Sequence, residues 1–219
     1  MEIIAKFISS LILFYSLHRI LKIFIKDNNT IYFILHAIYN LASLLLIIPD
    51  ILSAIFDPLK CYIEWSTNIP MITLMSFHSY HLLIEPKLTL DEIFHHILFC
   101  FIFPPILISL THYNMTNVVL FFTIGIPGLV MYTLLTLVKF NIVKKQTEKT
   151  ISKLLYMWIR MPGCIIMATF LQLHIHYCER HNTTFNQYFS LLCSFALCWN
   201  GIYYADKYSL SQYKYSLQQ

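Results

Sequence analysis

Charge is what this sequence has least of. Only 12% of its 219 residues are Asp, Glu, Lys or Arg, about half the share found in an ordinary soluble domain. Together with 58% hydrophobic residues and a mean hydropathy of +0.62, that shortage excludes a water-soluble globule and indicates an integral membrane protein. A basic block is also missing. The formal charge is +4, but the lysines and arginines are spread along the chain, which excludes a nucleic-acid surface and makes them topology signals. No internal repeat or low-complexity tract is present, and the lack of paired inverted repeats counts against a transporter or channel. The first apolar run has no small-residue cleavage site after it and carries its basic flank on the C-terminal side, so it is a helix rather than a signal peptide.

What remains is a series of apolar runs long enough to span a bilayer. At this length one all-α polytopic transmembrane bundle of about seven spans is expected, since five to seven helices of about 20 residues use up the chain. The spans are expected at 3–25, 31–56, 70–85, 90–111, 117–139, 154–174 and 186–205. Asp27-Asn28-Asn29-Thr30 reads as a helix N-cap, Asp57-Pro58 as a stop, and Pro104-Pro105 as a kink or break that leaves room for an acyl chain beside Phe101, Phe103 and Leu107. By domain, residues 1–30 hold the first helix and its turn, 31–206 the main transmembrane domain, and 207–219 a short cytosolic tail.

With seven spans the basic residues divide unevenly. Arg19, Lys22, Lys26, Lys87, Lys139, Lys144, Lys145, Lys149, Lys153, Lys207 and Lys214 fall on one side, and Lys6, Lys60 and Arg180 on the other. The positive-inside rule therefore places the C-terminus in the cytosol. The opposite side carries the triplets Asn114-Met115-Thr116 and Asn182-Thr183-Thr184, both formal glycosylation sequons. Cys61 and Cys178 also fall there and are either bridged or separate thiols, whereas Cys100, Cys164, Cys193 and Cys198 lie in apolar runs as small hydrophobes.

Against this apolar background the polar exceptions stand out. His78, His81, Asp91, Glu92, His95 and His96 place four imidazoles and two carboxylates within nineteen residues. Ionisable groups at membrane depth are costly, about 2.5 to 3.5 kcal/mol each on insertion scales, and they usually face an interior or a cavity. His95 and His96 are adjacent, so on a helix their side chains diverge by about 100° and address different neighbours. Asp91 and Glu92 each precede a histidine by four residues; they either orient the imidazoles or cap the helix start. His78 and His81 share a helical face and serve either as hydrogen-bonding groups or, with His95 or His96, as metal ligands; no metal is expected. Arg160, within a span, needs an anion or a carbonyl, or else reaches to the interface. His174 and His176 are read as solvated.

The order "SFHSYHLL", "DEIFHHILF", "NVVLFFTIGIPGLVMYTLL", "YMWIRMPGCIIM" and "SFALCWNGIYYADKY" resembles the TLC-domain family of multi-span endoplasmic-reticulum proteins, over residues 31 to 206. His36 in "ILHAIYNLASLLL" looks like that family's single early histidine, His95-His96 like its histidine pair, and Arg160 like an arginine many members carry. Ceramide synthases in the family have aspartates after the pair, whereas residues 97–138 here hold no acid at all. The closer resemblance is to the small TLC-domain proteins associated with membrane phospholipid composition.

That resemblance implies a protein of lipid metabolism or membrane-composition control in the endoplasmic reticulum, with membrane lipids as partners. His36, His81 and Arg160 are the expected lipid-binding residues, and no cofactor is implied. Its alternative is an acyltransferase with His95 or His96 as general base and acyl-CoA as substrate.

Overall fold

The computed structural model describes residues 2–84, 89–110, 114–180 and 187–218, with backbone alone for 91, 92, 109, 110, 175, 178–180 and 187. Within these residues the chain is all-α: α1 (Glu2–Phe24), α2 (Asn28–Phe56), α3 (Lys60–Ile63), α4 (Ile69–Ile84), α5 (90–110), α6 (Asn114–Lys139), α7 (145–180) and α8 (Gln187–Ser216). Helices α1, α2, α6 and α7 are long and apolar enough to cross a membrane, while α4 and α5 contribute shorter apolar stretches. The 16 residues of α4 rise about 24 Å, short of the roughly 30 Å hydrocarbon layer. Helix α8 is 30 residues long, but its second half carries Lys207, Ser209, Ser211, Gln212 and Lys214.

Helix ends follow the local chemistry. The Asp27 carboxylate caps α2 by accepting from the Asn29 amide at 3.2 Å and the Thr30 hydroxyl at 2.8 Å. The same helix stops at Phe56, immediately before Asp57-Pro58. By contrast, the lysine-rich stretch expected as a loop is helical from Lys145 onward, because Glu148 and Ser152, four apart, share a face that is buried. Only residues 140–144 remain as a turn, with Asn141 at φ 57°.

Prolines shape three of the helices in one way. Each of three π-helical segments, Ile97–Ile102, Phe121–Gly125 and Tyr156–Arg160, ends two residues before a proline, at Pro104, Pro127 and Pro162 respectively. A proline lacks the N–H that its helix needs four residues back, and its ring crowds that carbonyl; widening the preceding turn relieves the clash without ending the helix. Helix α5 therefore continues through Pro104-Pro105 instead of breaking, and Phe103 is buried with its ring 5.5 Å from that of Phe99.

The chain divides into two compact units, the first comprising residues 1–35 and 45–117, the second 36–44 and 118–219. In the first, α1 lies along α4: the Phe14 and Phe77 rings meet edge-on at 4.8 Å, and the buried Ser76 hydroxyl donates to the Phe7 carbonyl at 3.0 Å. In the second, close approach depends on small residues. A Cβ at Gly163 would sit 2.1 Å from the Phe122 ring, and one at Gly201 would lie 2.9 Å from Cys164 Cβ. The Ser190 and Ser194 hydroxyls tie α8 to the Leu171 and Ala168 carbonyls of α7, at 2.9 and 3.0 Å.

Candidate functional site

Four histidines meet in the first unit. His78 and His81, one turn apart on α4, lie beside His96 of α5, with ring centroids 4.8 and 5.4 Å from it. His96 is 6% exposed. The His95 ring lies 5.1 Å from that of Phe99, one turn on, and 5.8 Å from its neighbour His96. Adjacent positions on a helix cannot share one direction, so the pair splits into an enclosed imidazole and a half-buried one. The side chains of Asp91 and Glu92, expected beside these histidines, lie outside the described residues. Among the described residues no group of three His, Cys, Asp or Glu side chains is arranged to hold a metal ion.

Several groups around this cluster are not singled out by sequence. Tyr32 of α2 tilts against His81 at 4.5 Å, and His18 of α1 meets Tyr80 edge-on at 6.1 Å. His18 and Tyr80 both lie in apolar runs where a polar group invites notice, but their meeting depends on packing across 62 residues of sequence.

Arg160 and His36 belong to the second unit. Arg160 is 5% exposed and is held inside its unit by protein partners. Its Nε and Nη2 donate to the Asn200 side-chain oxygen at 3.3 and 2.8 Å, and its Nη1 to the Thr123 carbonyl at 2.5 Å. The guanidinium also lies over the Tyr204 and Tyr156 rings, at 4.4 and 5.2 Å from their centroids. Two phenols there, Tyr156 and Tyr208, stack at 3.9 Å and both donate to the Met131 sulfur. His36, 4% exposed, stacks on Tyr132 at 4.1 Å, and a Cβ at Gly128 would meet the Asn40 amide at 2.7 Å. His174, expected in solvent, is 1% exposed, because the face of α7 that carries it is buried.

A second polar group in the first unit gathers around the end of α2. The Asp50 carboxylate accepts from Ser66 Oγ and Asn117 Nδ2, both at 2.6 Å, and Glu64 accepts from Ser53 Oγ at 2.6 Å while pairing with Lys60 at 3.1 Å. The Ser53 hydroxyl, and then Lys60, hold the Glu64 carboxyl below its ordinary range. Burial, reinforced by Asp50 and Asp57, pushes the Cys61 thiol up to about 11, and burial raises the Tyr62 phenol to about 12. Cys61 is a buried free cysteine; the side chain of Cys178, its expected alternative partner, lies outside the described residues. Asn114, the first sequon, is completely buried, which removes it as a glycan acceptor in the folded chain, while Asn182 lies outside the described residues.

Among family models, curated proteins and solved structures, none matches this chain.

Proposed function

We propose that this multi-pass membrane protein binds lipid or acyl chains among its helices and serves lipid metabolism or the control of membrane lipid composition. The observation that carries the reading is His96, enclosed on apolar helices with the His78 and His81 rings 4.8 and 5.4 Å away. Imidazoles gathered among apolar helices offer hydrogen-bond donors and acceptors to a polar head whose tail stays in hydrocarbon. The TLC-like order of motifs supports the same reading and implies the endoplasmic reticulum, while the apolar runs imply seven crossings and the uneven division of basic residues a cytosolic C-terminus. On that reading α4, α5 and α8 cross as well, the short ones with locally thinned bilayer.

A second reading is acyl transfer, for which the two differently placed imidazoles, His96 enclosed and His95 half-buried, are the candidate bases. A neutral imidazole at His95 or His96 would take the proton from an acceptor hydroxyl or amine as it attacks a thioester carbonyl, and return it to the departing thiolate. The test is one set of proteins purified in detergent: wild type, His95→Ala and His96→Ala. Mass spectrometry of bound lipid and an acyl-CoA turnover assay are read together with thermal unfolding. Lipid retained by the wild type and lost from the His96 variant, with folding intact, is the expected result. Turnover that falls by about 10² to 10⁴ in one variant alone would promote the acyltransferase. Wild-type protein that carries no lipid and turns over no acyl-CoA would refute both readings.

A further inference from the structure

Five lysines gather in the second unit where α6 ends and α7 begins. They are Lys139, Lys144, Lys145, Lys149 and Lys153, and Glu148 is the one acid among residues 139–155. That acid is buried and pairs with Lys145 at 3.1 Å and Lys149 at 3.9 Å, while Lys139 and Lys144 stand exposed. Helix α8 packs on this part of α7 and adds the exposed Lys207 and Lys214 against Asp206, so the outward charge stays positive. The turn between the two helices is fixed in shape. The Ile142 amide donates to the Leu137 carbonyl at 2.9 Å and the Asn141 amide to the Val138 carbonyl at 3.0 Å, with Asn141 left-handed at φ 57°. This is the two-bond Schellman ending of a helix, in which the residue after the left-handed one commonly packs back on the last turn. Ile142 occupies that place and is instead 69% exposed, with Phe140 50% exposed beside it. Helix α6 is 26 residues long, about 39 Å against roughly 40–45 Å for a bilayer with its headgroups, so a crossing α6 brings the turn out at headgroup level. An apolar pair flanked by lysines matches anionic heads above acyl chains, whereas an acidic peptide would leave both apolar side chains in water.

We propose that this turn docks on anionic phospholipid headgroups of the bilayer in which the protein sits, with Phe140 and Ile142 entering between the heads and Lys139 and Lys144 meeting the phosphates. The surface belongs to the second unit alone and stands whether or not lipid is handled at the histidines. Docking of this kind makes the end of α6 and the start of α7 responsive to the anionic-lipid content of the leaflet they face.

The experiment is amide hydrogen exchange of the full chain in nanodiscs, read at residues 140–145, in phosphatidylcholine alone and in phosphatidylcholine mixed with phosphatidylserine. Nanodiscs leave both faces open, so orientation does not enter. A lysine near an anionic surface strengthens association about fivefold, so exchange should slow several-fold in the anionic discs and recover when salt is raised. Lys144→Gln should lose part of that slowing, and Lys139→Gln combined with Lys144→Gln most of it. Phe140→Ser combined with Ile142→Ser should weaken it as well, and thermal unfolding in detergent checks that each variant is folded. The wild-type comparison across lipids and salt decides by itself where a variant folds poorly. Exchange that is equal in the two lipids, a slowing that ignores salt, a slowing that persists in the double lysine variant, or a double serine variant that behaves as the wild type would overturn the proposal.

Discussion

Arg160 donates to the carbonyl of Thr123 at 2.5 Å, and Thr123 lies four residues before Pro127. In an uninterrupted helix residue 127 would supply that carbonyl with its N–H; proline has none, and the guanidinium supplies a donor in its place. The cation gains a carbonyl in a setting where its other partners are an amide oxygen and two aromatic faces. A proline on α6 and an arginine on α7 are thus one device.

The first prediction concerns that device. Arg160→Leu strands the Thr123 carbonyl and the Asn200 amide oxygen in a buried place, and should cost about 1 to 3 kcal/mol for each group left unpaired. Arg160→Lys should recover only a small part, since an ammonium lacks the planar fork that serves Asn200 and Thr123 together. Thermal unfolding in detergent measures both; a lysine variant as stable as the wild type would contradict the geometry.

Close packing in the second unit makes its own prediction. A Cβ at Gly163 would stand 2.1 Å from the Phe122 ring, so Gly163→Ala should destabilise by roughly 1 to 3 kcal/mol, the usual cost of overpacking. Adding Phe122→Leu should return part of that loss. A double-mutant cycle with no coupling between the two positions would show that they do not touch.

Cys61 supplies a pH dependence. Its folded pKa of about 11 lies above the ordinary 9.0, so the folded state holds the proton more tightly than the unfolded chain. The sign follows: the associated stability is complete below pH 9 and is lost as pH rises through about 11. Unfolding temperature should therefore decline across that window in the wild type and decline less in Cys61→Ala. Maleimide labelling of Cys61 near pH 7.5 should also be slow until detergent unfolding exposes it, because the thiol is buried and protonated.

Orientation can be read by proteolysis of sealed microsomes. If the C-terminal side is cytosolic, trypsin should cut after Lys144, in the turn at 140–144, without detergent. Lys149 and Lys153 lie within α7 and should be cut more slowly, since helical backbone resists a protease that needs an extended strand. Complete protection at Lys144 would reverse the orientation.

The sequence by itself determined the class of structure, because the signals are local. Apolar runs of span length, the capping carboxylate of Asp27, the stop at Asp57-Pro58 and the divergence of His95 from His96 all follow from residues within a turn or two of one another. The prolines also indicate where a helix is disturbed, although whether it breaks or widens into a π turn depends on the packing around it. Tertiary structure decided which histidine is enclosed, since a helix has no inside until α4 lies beside α5. It decided too that Arg160 is paired with Asn200, forty residues away, that His174 and Asn114 are buried, and that Glu148 and Ser152 turn the lysine-rich stretch into helix. Those outcomes depend on desolvation and on partners distant in sequence, and periodicity along one helix encodes which residues share a face but not what that face meets.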